Sequence, residues 1–112
     1  MSKRNNKLLI DDILTSIEKI KAYTSGLDFD SFLSDTKTVE AVERNFEIIG
    51  EAANQLTQDF REIHVEIPWY AVISFRNRLI HDYFGVDYQI LWYILQNDLP
   101  FLENKLRQII CS

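Results

Sequence analysis

Residues 36–59 read TKTVEAVERNFEIIGEAANQLTQD, and this stretch decides the fold. Its apolar side chains recur at alternating intervals of three and four residues, which is the spacing of one face of an α-helix. Asp35 or Thr36 can cap the amino end, and the pattern predicts a helix that runs to about Asp59. So narrow an apolar row is typical of a helix packed in a bundle. The row consists of Val39, Val42, Phe46, Ile49, Ala53 and Leu56.

Small residues and charges flank this row. Gly50 costs roughly 1 kcal/mol of helix propensity relative to alanine, and Ala52 and Ala53 follow it at once. Small residues at this place predict that another backbone comes close. A charged stripe beside the row consists of Glu40, Arg44, Glu47 and Glu51.

The segments on either side also show helical periodicity. Residues 7–25 predict a first helix that Gly26 ends, and residues 28–34 predict one short helical turn that places aromatic rings on the bundle. Pro68 suits the first turn of a further helix over residues 69–84. The last helical segment begins at a capping Asp87, with Pro100 as a kink or as the first turn of a separate helix.

Composition agrees with this organisation. The 112 residues include only three glycines and two prolines, which leaves little room for the turns of an all-β fold. A single cysteine, Cys111, excludes an internal disulfide and suits a reducing compartment. We see no signal peptide or spanning segment. We therefore expect one cytoplasmic all-α domain over residues 1–112, an antiparallel up-and-down bundle of four main helices plus a short helical turn.

Arg76 occupies an unusual position for a charged residue. On a helical wheel it falls within an apolar arc that includes Val72, Phe75 and Leu79, and burying a guanidinium is costly unless an acceptor satisfies it. We expect Glu47 or Glu51 to supply that carboxylate. The polar side of the same helix carries Ser74, Asn77, Arg78, His81 and Asp82.

Several chemistries can be set aside. No glycine-rich phosphate loop is present, and the two histidines, His64 and His81, lack the companion ligands of a metal site, so we expect neither a cofactor nor a metal. We predict His64 to be a surface histidine. The net charge of −5 argues against a general nucleic-acid coat protein, so any RNA must bind in a local groove lined by a few arginines.

Arginine with histidine suits phosphodiester chemistry without a metal. A histidine near neutral pKa can accept or deliver a proton. An arginine can hold phosphoryl oxygens with two hydrogen bonds and stabilise negative charge in the transition state. The residues alone leave another interpretation open: Arg76 makes a buried ion pair with Glu47 or Glu51, while His81 and Tyr83 are ordinary surface groups.

The stretch from Arg76 to Tyr83, RNRLIHDY, resembles the R-x4-H-x-Y signature of the HEPN superfamily, and specifically of the HepT-like toxins. R-x4-H alone is common by chance. Here it stands with AVERN at 41–45, IIGEAA at 48–53, IPW at 67–69 and DLP at 98–100, so the resemblance covers nearly the whole chain.

The resemblance implies a HEPN-like dimer in which the motif helices of two subunits line one cleft, with further assembly left open. It implies a metal-independent endoribonuclease toxin in which Arg76 and His81 are catalytic, Asn77 orients the site and Arg78 adds positive charge. It also implies a MntA-like nucleotidyltransferase antitoxin that transfers AMP to Tyr83. The alternative that it leaves open is a non-catalytic module that binds a nucleotide or serves a nucleotidyltransferase as a partner.

Overall fold

The computed structural model describes residues 5–80 and 87–111, with side chains described for 5–75 and 87–110. The described residues are helical almost throughout and contain no strand, which confirms the predicted all-α class. The helices are α1 (Asn6–Thr24), α2 (Phe29–Ser34), α3 (Thr36–Gln55), α4 (Gln58–Ile63), α5 (Trp69–Ile80), α6 (Tyr88–Tyr93) and α7 (Leu99–Cys111), with a π-helical segment (Ile94–Asp98) between the last two.

The amino-terminal helices begin and end at the residues that suit those positions. The side chain of Asn5 accepts a hydrogen bond from the amide of Leu8 and so caps α1. Gly26 turns the chain with φ of 78°, in the left-handed region that favours glycine. Asp28 caps α2, whose Phe32 is fully buried. The predicted first helix and short aromatic turn are therefore confirmed.

Helix α3 begins as predicted but ends earlier. Asp35 caps it by accepting a hydrogen bond from the amide of Thr38. Its predicted extension to Asp59 is wrong, because α3 ends at Gln55 and a separate short helix follows. Thr57 caps that helix, α4, and also makes two hydrogen bonds with the side chain of Asn6. A local cap and a tertiary contact thus break the helix at that point.

Hydrogen bonds and a ring contact stabilise the connection from α4 to α5. The carbonyl of His64 accepts hydrogen bonds from the amide of Ile67 and from Nε1 of Trp69. The imidazole of His64 packs on Phe60, with ring centroids 4.6 Å apart. Its side chain is 24% exposed, so this predicted surface histidine lies half-buried at the surface. The tilted contact with Phe60, at 51° between the ring planes, covers part of its surface.

The carboxy-terminal helix continues through Pro100. Asp87 caps α6 as predicted, accepting hydrogen bonds from the amides of Gln89 and Ile90. The amide of Leu99 donates to the carbonyl of Ile94, five residues back, and α7 follows without a break. A proline removes a donor and crowds the preceding turn. The wider π-helical turn just before Pro100 accommodates it, so the helix neither stops nor restarts there.

The long helices pack antiparallel around one core. Asn6, at the start of α1, meets Thr57 beyond the end of α3. The rings of Phe60 and Trp69 meet near one end of α3 and α5, and those of Phe46 and Phe75 meet further along. The predicted apolar row of α3 is buried throughout, as are Gly50, Ala52 and Ala53. This arrangement confirms the predicted up-and-down bundle.

Candidate functional site

Helix α5 carries the first half of the predicted motif. Its helical backbone includes positions 76–78, but the side chains at these positions lie outside the described residues. His81 and Tyr83 lie outside them entirely. The structure therefore describes only the backbone of the first part of the motif, in α5 (Trp69–Ile80). The catalytic roles of Arg76, Asn77 and His81, the added charge of Arg78 and the modification of Tyr83 stay predictions.

The burial pattern fixes how α5 is rotated about its axis. Val72 is 2% exposed and Phe75 is 4% exposed, whereas Tyr70 on the outer side is 88% exposed. These values confirm the first half of the predicted apolar arc. At about 100° per residue, position 76 lies one step round from the buried Phe75, at the border of the core side. Position 77 lies close to the outer direction of Tyr70.

The register between α3 and α5 fixes the height of the motif. Phe46 and Phe75 meet edge to face, with ring centroids 5.5 Å apart and ring planes at 83°. The helices run antiparallel, so moving from Phe75 toward the motif corresponds to moving from Phe46 toward the amino end of α3. Position 76 therefore lies opposite the middle of α3, between about residues 43 and 47.

The two predicted carboxylate partners of Arg76 differ in their surroundings. Glu47 is half-buried, and its Oε2 accepts a hydrogen bond from Nη1 of Arg44 at 3.3 Å. Glu51 is exposed and lies one turn further from the motif. Contact of either carboxylate with Arg76 stays a prediction.

Sequence reasoning missed Glu43, a half-buried carboxylate of α3 at this height. Its Oε1 is buried and has no hydrogen-bond partner among the described residues. The hydroxyl of Tyr88 donates a hydrogen bond to the Glu43 carboxylate, and this bond, with burial and the nearby negative charge, raises the pKa of Tyr88. The sequence does contain a signal. Glu43 follows Val39 by four residues and precedes Phe46 by three, so it lies within the apolar spacing.

The absence of two further features concerns only the part of the chain that the structure describes. It holds no group of three or more histidine, cysteine or acidic side chains placed to bind a metal ion. None of its helices is long and apolar enough to span a membrane.

An antiparallel helical bundle whose third long helix contains the start of an Arg-x4-His-x-Tyr sequence defines a domain of the HEPN class. The chain belongs to the HepT-like ribonuclease family, since the family model described as "Ribonuclease HepT-like" matches residues 13–109. That match extends from α1 to the last turns of α7. It confirms the resemblance that the motif indicated.

Individual relatives agree with the family assignment. The chain is 43% identical over 107 residues to "Probable ribonuclease HepT" of Thermococcus cleftensis, which covers 96% of this chain and 97% of that protein. It is 38% identical over 110 residues to "Putative RNase MJ0127" of Methanocaldococcus jannaschii, covering 98% and 91%. No solved structure matches the chain.

Proposed function

We propose that this protein is a metal-independent endoribonuclease toxin that cuts cytoplasmic RNA with Arg76 and His81 in a cleft shared by two chains. The observation that carries the proposal is the full Arg-x4-His-x-Tyr sequence, which begins in α5, in a chain that belongs to the HepT-like ribonuclease family. The relatives named above carry the word ribonuclease or RNase in their names.

RNA supplies its own nucleophile for this reaction. The 2′-hydroxyl attacks the adjacent phosphorus, the bond from phosphorus to the 5′-oxygen breaks, and a 2′,3′-cyclic phosphate and a 5′-hydroxyl end result. His81 accepts the proton of the 2′-hydroxyl or delivers one to the leaving oxygen. Arg76 holds the non-bridging oxygens and stabilises the charge that grows on them. Asn77 orients the site, and Arg78 adds positive charge.

A dimer cleft would reconcile RNA binding with the net charge of −5. Two copies each of Arg76, Arg78 and His81 would concentrate positive potential in one groove, and the low-dielectric walls would focus it. The rest of the surface can then remain acidic without repelling RNA from the site.

Control by a nucleotidyltransferase antitoxin is part of the proposal. The partner would transfer AMP from ATP to the hydroxyl of Tyr83 and release pyrophosphate. In the helix that the sequence predicts over residues 69–84, Tyr83 follows Arg76 by two turns, so the added phosphate would lie on the same side as Arg76. It would occupy the anion site and repel RNA, so activity would be lost.

Cleavage of a labelled RNA in EDTA tests the reaction. We expect the wild-type protein to produce 2′,3′-cyclic phosphate ends, and we expect Arg76→Ala and His81→Ala to lose at least 100-fold in rate while keeping the fold. Matched controls are Arg44→Gln and His64→Gln, the first at a side chain that is 66% exposed. Full activity in both motif variants would contradict the proposal.

The alternative, a non-catalytic partner or nucleotide-binding module, gives a different result in the same preparation. It predicts calorimetric binding of ATP or of the nucleotidyltransferase with no cleavage at any protein concentration.

Mass spectrometry after incubation with the nucleotidyltransferase and ATP tests the modification of Tyr83. We expect one AMP added to the wild-type chain and none to Tyr83→Phe.

A further inference from the structure

We propose that the corner between α4 and α5 is a docking surface for a partner protein whose contact residues are apolar and flanked by lysine or arginine. We take the nucleotidyltransferase of the proposed function as that partner, so its identity rests on the proposed function. The acidic corner, as we call this surface, consists of three apolar and three acidic residues: Ile63, Val65, Tyr70, Asp59, Glu62 and Glu66.

The acidic corner exposes large apolar side chains to solvent. Ile63 is 72% exposed, Val65 is 75% exposed and Tyr70 is 88% exposed. These are the three highest values among the large apolar side chains of the described residues, where the next is Tyr93 at 63%. All three fall within eight residues of the chain. Single exposed apolar residues are ordinary, whereas a concentration of them marks an interaction surface.

Contacts on the inner side hold the acidic corner in shape. Ile67 is 1% exposed and Trp69 is 7% exposed, so these neighbours of the exposed residues belong to the core. The carbonyl of His64 accepts hydrogen bonds from the amide of Ile67 and from the indole of Trp69. A surface that is ordered before binding loses less conformational entropy when a partner associates. The corner therefore presents its apolar side chains from a folded turn.

The exposed charges of the corner are negative. Arg61 is only half-buried but does not reach the exposed class, and Lys7 follows Asn6, which bonds to Thr57 at the opposite end of α4 from the corner. The acidic side chains are all exposed, and they are Asp59, Glu62 and Glu66. The surface thus combines apolar side chains with a negative rim.

This combination selects among the possible occupants. A negative rim repels the phosphates of RNA and of anionic lipids. A two-fold contact between copies of this chain would bring the same acidic residues of both copies together, which is unfavourable. A protein with lysine or arginine around an apolar centre would pair with the rim and cover the apolar side chains. The charge pattern therefore favours a different protein with a basic rim.

The acidic corner lies away from the motif but within reach of one partner. Tyr70 is the second residue of α5, and position 76 lies six residues further, about 9 Å along the helix axis. A folded domain of about 100 residues is roughly 30 Å across. A nucleotidyltransferase that contacts the corner is therefore large enough to extend to the motif, and docking need not cover the residues that it modifies.

Calorimetry of the full chain with the nucleotidyltransferase, without ATP, tests the apolar part of the surface. We expect Ile63→Ser, Val65→Ser and Tyr70→Ala each to raise Kd about 10-fold. Because these side chains are exposed, the variants should keep the fold, which circular dichroism checks. Ile110→Ser and Tyr93→Ala, at exposed residues of other helices, are the matched controls and should leave Kd within about twofold of wild type.

Charge reversal tests the rim. We expect Glu62→Lys to raise Kd about 10-fold and to reduce the loss of affinity between about 50 and 300 mM salt, because an attraction between opposite charges is removed. Asp98→Lys, at an exposed carboxylate before α7, is the matched control and should behave as wild type.

The outcomes separate this inference from the proposed function. A wild-type chain that binds no nucleotidyltransferase, or corner variants with unchanged Kd, would overturn it. Sedimentation and RNA binding of the same variants test the other occupants, and a changed oligomeric state or weaker RNA binding would overturn it as well. If the wild-type protein cuts no RNA but the corner variants lose the partner, the ribonuclease proposal fails and the docking surface stands.

Discussion

Phe46 on α3 and Phe75 on α5 meet edge to face, with ring centroids 5.5 Å apart. Both are buried, at 1% and 4% exposure. Phe75 immediately precedes Arg76, so one core contact determines the height and rotation at which α5 presents the motif. The position of the chemistry thus depends on ordinary packing between two helices.

Replacing Phe46 with alanine should lower the free energy of unfolding by about 3–5 kcal/mol, the usual cost of emptying a core site of that size. Urea unfolding followed by circular dichroism measures this cost. Phe101→Ala is the matched control, because 46% of Phe101 is exposed, and it should change stability little. Equal losses in the two variants would show that the ring contact is not the anchor we describe.

The burial of Tyr88 beside Glu43 predicts a loss of stability at high pH. The hydrogen bond to Glu43 raises the pKa of Tyr88 in the folded chain. A group whose pKa is raised by folding stabilises the protein fully below the unfolded value, about 10 for tyrosine. That stabilisation is lost as the pH rises through the folded pKa.

We therefore expect the unfolding free energy of wild type to fall above about pH 10, and to fall less steeply in Tyr88→Phe. Tyr93→Phe is the control, since Tyr93 is 63% exposed on the same helix. Urea unfolding between pH 8 and 11 gives the comparison. A parallel decline in wild type and Tyr88→Phe would contradict the assignment.

A cluster between α1 and α7 predicts sensitivity to acid. Glu103 accepts hydrogen bonds from Lys21 at 2.9 Å and from Arg107 at 3.0 Å, and Arg107 also donates to Glu18 at 2.7 Å. Burial pushes the pKa of Glu103 up, but the two hydrogen bonds outweigh burial and lower the pKa below its ordinary value. The resulting stabilisation is present above the unfolded pKa and is lost as the pH falls through the folded one.

Glu103→Gln should therefore lower stability at pH 7 by about 1 kcal/mol, because Lys21 and Arg107 are themselves largely exposed. The difference from wild type should shrink below about pH 4, where the wild-type carboxylate is also neutralised. Asp98→Asn, at an exposed carboxylate that precedes α7, serves as the control. A difference that is the same at pH 3 and pH 7 would show that lost packing, not charge, is responsible.

Local signals in the sequence predicted most of the helix boundaries. Asp35 and Asp87 cap helices where expected, and Gly26 follows α1, because caps and left-handed turns depend on the residue at that position. The end of α3 was missed because the apolar row gives no sign that Thr57 also bonds to Asn6, 51 residues away. Such long-range contacts cannot be predicted from periodicity.

The candidate site, like the helix boundaries, could be predicted only in part from the sequence. The motif from Arg76 to Tyr83 can be recognised from sequence, and so can the need of Arg76 for a carboxylate. Which carboxylate is available depends on how α3 and α5 are aligned, and the Phe46–Phe75 contact supplies that alignment. The sequence suggested Glu47 and Glu51, whereas the buried Oε1 of Glu43 becomes evident only in the folded chain.

Gly26 allows conformational strain to be separated from lack of space. Its φ of 78° lies in the left-handed region, yet a Cβ added there would meet no atom within 4 Å. Gly26→Ala should therefore lower the free energy of unfolding by about 1–2 kcal/mol through backbone strain alone. Gly26→Asn, although larger, should cost less, because asparagine tolerates this conformation better than alanine. Urea unfolding of both variants tests this order of stability, with Ser25→Ala, at an exposed neighbouring residue, as the control. If Gly26→Asn is less stable than Gly26→Ala, crowding and not backbone strain is responsible.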